Sequence, residues 1–136
     1  MFGDGRLTFI SENVLAGIKI FLLFLLCYNR SIMTIHDVII IGGGPAGCSA
    51  AVYAARKRLK TLLIAKEWGG QSTVSTDIQN WIGTPHISGE KLSENLKDHV
   101  LEYKSDVLAV KEFFGVSSIS GSYPLFTVET EDGETF

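Results

Sequence analysis

Cysteine is scarce in this 136-residue chain, and the two present, Cys27 and Cys48, stand too far apart to form a redox Cys-x-x-C pair. Neither has neighbours at zinc-ligand spacing, so both read as small buried apolar residues. Histidine is almost as rare. His36, His86 and His99 each lack a second ligand at helical or turn spacing, which makes them structural or exposed and gives no basis for a metal centre. An excess of positive charge is missing too. Twelve lysines and arginines against 15 acids give a net charge of −3, so nucleic acid binding has no electrostatic footing.

A long hydrophobic run is also lacking. Residues Val14 to Tyr28 read VLAGIKIFLLFLLCY, interrupted by Lys19 and shorter than the roughly 20 residues that cross a bilayer. Asp4, Arg6 and Glu12 precede the run where a secretory signal would carry net positive charge, and no small-residue cleavage pattern follows it. Residues 1–32 therefore read as an N-terminal extension outside the fold, from upstream translation, with Met33 as the natural start. A cytoplasmic location is expected, and a membrane anchor is the alternative if residues 14–28 are real. The apolar fraction of 46% suits one globular domain, placed here at 33–136.

From Asp37 the chain runs DVIIIGGGPAGCSAAVYAARKRLKTLLIA. A β-branched run is followed at once by glycines and then by alanine-rich helix formers, which is the order strand, tight turn, helix, strand. Strands are expected at Asp37 to Ile41 and Thr61 to Ala65, with a helix from Pro45 to Leu59 crossing between them in the favoured right-handed sense. Within the turn, Gly42, Gly44 and Gly47 satisfy G-x-G-x-x-G. The first permits the sharp turn, the second admits a pyrophosphate to the backbone, and the third lets helix and strand pack closely. Pro45 suits a first helical position, and the helix turns its free N–H groups toward the phosphates. A glycine turn chosen only for packing would give the same three residues. The flanking strands at βαβ spacing favour the dinucleotide reading. The second strand ends on Ala65 where a ribose-binding acid is common, and Glu67 is either that acid or a solvated one.

The segment EWGGQSTVSTDIQNWIGTPHISGEKL follows. With Gly69-Gly70-Gln71 and Asn80-Trp81 the chain resembles the thioredoxin reductases and the flavoprotein component of alkyl hydroperoxide reductase, over Met33 to Phe136. Gln79 stands where that family usually has an acid, and Ile87 to Val110 leans toward the peroxide-reductase component. The resemblance implies an α/β, Rossmann-like FAD-binding domain with a parallel sheet and an antiparallel hairpin or meander, C-terminally truncated. It implies that Gly42, Gly44, Pro45, Ala46 and Gly47 hold the FAD pyrophosphate. Ile64, Ala65, Lys66, Glu67, Gly69, Gly70 and Gln71 would run along the adenosine and ribityl portions, and Asn80 would bond near the flavin. Gln71 and Asn80 are amides able to satisfy both donors and acceptors, although turn formation is their plainer role. Trp68 and Trp81 read as packing.

Downstream, Gly89 to Tyr103 places Leu92, Leu96, Val100 and Tyr103 on one helical face. A third strand is expected at Asp106 to Val110. Tyr123 to Phe136 alternates as a strand, with Asp132-Gly133 as a hairpin turn into the first residues of a return strand. The chain has no second G-x-G-x-x-G. Family members of about three hundred residues add a nicotinamide-binding domain, for NADPH or NADH, and a redox cysteine pair. The expectation is thus a piece of an NAD(P)H-dependent disulfide reductase without catalytic residues of its own. The complete enzyme would be a homodimer passing electrons to a thioredoxin-like or peroxiredoxin-system protein disulfide. The alternatives are a flavin or nucleotide module without catalysis and a different FAD-dependent oxidoreductase.

Overall fold

The computed structural model describes Lys19 and residues 34–136. The chain divides into two units, Met1–Ile32 and Met33–Phe136, and the apolar run at 14–28, with Cys27, lies outside the described residues apart from Lys19. Among the described residues no helix is long and apolar enough to cross a membrane.

Three strands build the central sheet: β1 (Val38–Gly43), β2 (Thr61–Trp68) and β3 (Leu108–Glu112), in the order β1-β2-β3. Both pairings are parallel, with Val38 opposite Thr61 and Thr61 opposite Leu108. The middle strand is the driest. Thr61 to Ala65 are all buried, as a parallel strand covered on both faces requires. Asp37 fixes where β1 and β2 enter: its N–H donates to the Lys60 carbonyl at 2.8 Å, and its carboxylate accepts from the Lys60 N–H at 2.7 Å.

Two helices, α1 (Pro45–Arg56) and α2 (Gly89–Glu102), pack on one face. Cys48, Ala51, Val52 and Ala55 of α1 meet Leu63 and Ala65 of β2, Leu108 of β3, and Leu92, Leu96 and Val100 of α2. Small residues along α1 let it lie close to the sheet. The opposite face buries Leu62 and Ile64 against Val128, with Ile39, Val116 and Phe136 beside them. That cover is an antiparallel hairpin of β4 (Val116–Ser122) and β5 (Leu125–Thr130). The result is three layers, helices on parallel sheet on hairpin, about one strand whose alternate side chains serve two cores.

Several boundaries differ from the sequence reading. Helix α1 stops at Arg56 rather than Leu59, because Arg58 turns to φ +62° and the Leu59 N–H returns to the Ala54 carbonyl at 3.2 Å, a left-handed helix ending. Strand β2 runs on to Trp68, and β3 begins at Leu108, since Leu108 is the first residue to pair with β2. Strand β4 has no counterpart in the sequence reading. Its VSSISGS sequence is nearly all exposed and carries no apolar alternation to reveal it. The turn at Asp132-Gly133 is present, and Phe136 bonds both ways with Val128 at 2.8 and 2.9 Å.

Candidate functional site

The first glycine turn joins β1 to α1. Gly42 adopts φ +112°, a conformation that L side chains rarely take. A Cβ on Gly47 would overlap the Gly42 carbonyl, so the third glycine is fixed by the approach of helix to strand. Gly44 is different. A Cβ there would have the Gly69 carbonyl, 3.9 Å away, as its nearest neighbour. Among the described residues nothing occupies that space, which is what a glycine kept for a ligand should show.

Gly44 is also the N-cap of α1, in extended backbone and without a side-chain cap. The Cys48 N–H returns to the Gly44 carbonyl at 2.9 Å, so the N–H groups of Ala46 and Gly47 precede the first helical bond. With no acid in the first turn, they form a positive, neutral-sided terminus suited to an anion.

A second glycine turn faces the first. Residues Gly70–Val74 form a 3-10 turn rather than an open loop, held by the Ser72 hydroxyl on the Gly69 carbonyl at 2.6 Å and the Thr73 hydroxyl on the Gly70 carbonyl at 2.8 Å. The Gly69 N–H donates to the Gly43 carbonyl at 2.9 Å, and a Cβ on Gly70 would stand 3.7 Å from the Gly44 Cα. The two turns therefore meet backbone to backbone beyond the C-terminal ends of β1 and β2, the place where α/β sheets bind ligands.

The expected site residues fall into three groups. Gly42, Gly44, Pro45, Ala46, Gly47, Gly69 and Gly70 come together as the two facing turns. Ile64 and Ala65 are buried, one in each core, and offer a ligand only their backbone and strand position. The remaining four are exposed. Lys66 is engaged with Glu131 at 2.8 Å, Glu67 turns its carbonyl toward Gly43, Gln71 lies in the 3-10 turn, and Asn80 lies in the loop closed by the Ile78–Ile87 bridge. Trp81 packs against the helix-side core. Sequence reasoning missed Gly43, whose Cβ would come within 2.6 Å of the Glu67 carbonyl, and the side chains of Lys97 and Glu112, which meet at Trp68 just before the second turn. The last two come from distant segments, and no local spacing signals them.

Cys48 beside the turn is 2% exposed, and its Sγ donates to the Gly43 carbonyl at 3.3 Å. Burial pushes the thiol up to about 11, so it is a protonated structural group at neutral pH.

Residues 37–114 match the family described as FAD dependent oxidoreductase. The chain is 40% identical over 98 residues to an alkyl hydroperoxide reductase subunit of Escherichia coli, covering 72% of this chain and 19% of that protein. The corresponding alkyl hydroperoxide reductase subunit of Pseudomonas aeruginosa is 32% identical over 133 residues, 98% of this chain and 25% of the relative, so that match reaches into the residues before Met33. The crystal structure of Lactococcus lactis thioredoxin reductase superposes with a TM-score of 0.67 at 33% identity, over 75% of this chain and 32% of that one. The chain thus spans between a fifth and a third of the length of these relatives. It belongs to the FAD dependent oxidoreductases, among their thioredoxin reductase and alkyl hydroperoxide reductase flavoproteins.

Proposed function

We propose that this chain provides the FAD cradle of an NADPH- or NADH-dependent disulfide reductase. The observation that carries the reading is the open position at Gly44: a Cβ there would meet nothing among the described residues closer than the Gly69 carbonyl at 3.9 Å, yet the position faces Gly70 and the uncapped start of α1. The amides of Ala46 and Gly47 hold the pyrophosphate, Glu67 bonds the adenosine ribose, and Gly69 to Gln71 follow the ribityl chain. Lys66, tied to Glu131, borders the adenosine portion without contacting the phosphates. Asn80 serves the flavin edge. When bound, FAD supplies the redox chemistry, and the protein's part is binding and orientation. In the complete enzyme the electrons pass to a thioredoxin-like or peroxiredoxin-system disulfide, in a cytoplasmic homodimer.

Titration of the 136-residue chain with FAD, followed by flavin fluorescence, tests the cradle. Binding weaker than about 1 μM is expected, because the outer edge of β1 has no strand beside it among the described residues. Gly44→Val should abolish binding while the circular dichroism spectrum stays unchanged, since the extended backbone at residue 44 accepts any side chain. Absence of binding by the parent at millimolar FAD, or equal binding by Gly44→Val, would refute the assignment.

A further inference from the structure

Trp68, the last residue of β2, has its side chain held in a three-membered cluster. Its indole Nε1 donates to Glu112 Oε1 at 2.8 Å, and the Lys97 ammonium reaches the same oxygen at 2.9 Å. That ammonium also lies 5.6 Å from the Trp68 ring centroid, within cation–π range. Each of the three side chains therefore touches the other two. They come from the ends of β2 and β3 and from the middle of α2, and Lys97 and Glu112 are 35% and 24% exposed. The carboxylate accepts two bonds on one oxygen, one from an ammonium and one from a neutral indole, which makes it the fixed point of the cluster.

The position of Trp68 gives the cluster its consequence. Trp68 pairs with Gly43 across a register shift in the β1–β2 ladder, and a Cβ on Gly43 would stand 3.4 Å from its ring. The next residue is Gly69, whose N–H bonds the Gly43 carbonyl. The tryptophan thus supports the first glycine turn with its ring and leads directly into the second.

We propose that Trp68, locked by Glu112 and Lys97, is a positioning residue that sets the separation of the two glycine turns and thereby the affinity for FAD. The affinity part rests on the FAD cradle proposed above. The separation part does not, because it is read on the protein without ligand. A tryptophan free to rotate would leave the Gly69–Gly43 hydrogen bond without support, and the turns would open before any global loss of fold.

Amide hydrogen exchange at Gly69, measured against the core amide of Leu63, is the deciding experiment on the full chain. In Glu112→Ala, Gly69 should exchange at least about tenfold faster with Leu63 unchanged, and the FAD dissociation constant should rise by about tenfold. Glu112→Gln, whose amide oxygen still accepts the indole N–H, should restore most of both. Trp68→Phe keeps an aromatic ring of smaller size and removes the indole donor, and it should reproduce Glu112→Ala, deciding the matter if Glu112→Ala does not fold. Equal acceleration at Gly69 and Leu63, or no acceleration at Gly69, would overturn the positioning role. Loosened exchange with unchanged FAD affinity would overturn its link to the ligand. A parent chain that binds no FAD but shows the exchange pattern would sink the cradle reading alone.

Discussion

The thiol of Cys48 lies in the first turn of α1, where a helix N-terminus by itself favours the thiolate. Desolvation outweighs that terminus here, and the proton stays on sulfur to donate to Gly43. A folded value near 11 lies above the ordinary thiol range. The stability gained by keeping the neutral group is therefore complete below the unfolded value and is lost as pH rises through 11. In a Cys27→Ser background, the native chain should not react with a disulfide reagent at about pH 8, whereas the denatured chain should react fully. Cys48→Ala should cost about 1 kcal/mol or less, for one weak hydrogen bond and a small packing loss. Fast labelling of the native chain would show the thiol to be accessible and active. The burial of Cys48 was legible in its apolar neighbours and small size. Its bond to Gly43 was not, because it depends on how the turn folds back.

At the scale of elements, the hairpin is tied to the sheet by charge as well as by Val128. Lys111 of β3 is 14% exposed and reaches Asp132 and Glu134, both at 2.8 Å, at the turn that follows β5. The lysine bond, followed by a Thr130 hydroxyl at 2.6 Å, holds the Asp132 carboxyl below its ordinary range. A depressed acid contributes stability above its unfolded value and loses it as pH falls through the lower folded value. Acidification below about pH 4 should therefore loosen the hairpin before the helices, visible as faster exchange at the Val128 and Thr130 amides while Val100 stays protected. Lys111→Met should remove that difference between neutral pH and the range below about pH 4; a persistent acid effect in the variant would assign the coupling elsewhere. The helices and three parallel strands were legible because hydrophobic period and glycine punctuation are local signals. The ends of α1 and β3 and the whole of β4 were not, since a left-handed Arg58 and a serine-rich strand are decided by tertiary partners.

Across the whole described unit, the two faces of the sheet are covered but its two sides are not equal. On the β1 side, Ile39 and Ile41 border a groove of about 270 Å³ lined also by Ile119, Pro124, Leu125, Phe126 and Val128. Ile41, Ile119, Leu125 and Phe126 are each about half exposed, and β1 pairs only with β2 among the described residues. The continuous Val-Ile-Ile-Ile run of β1 is what a strand buried on both sides reads like, yet the described residues leave it at an edge. Unpaired backbone beside exposed apolar side chains is a template for further pairing. At concentrations of about 100 μM, within the micromolar-to-millimolar range in which exposed edges associate, the chain should scatter light increasingly with time. Phe126→Lys should suppress this without changing far-UV circular dichroism, because the side chain borders the groove and belongs to neither core. The charge acts as the edge-strand lysines of natural sheets do, penalising a second apolar surface while leaving the strand's own hydrogen bonds intact. Undiminished scattering in Phe126→Lys would place the association on another surface, and the exposed residues Val74 and Ile82, in the segment between β2 and α2, would then be the next to replace.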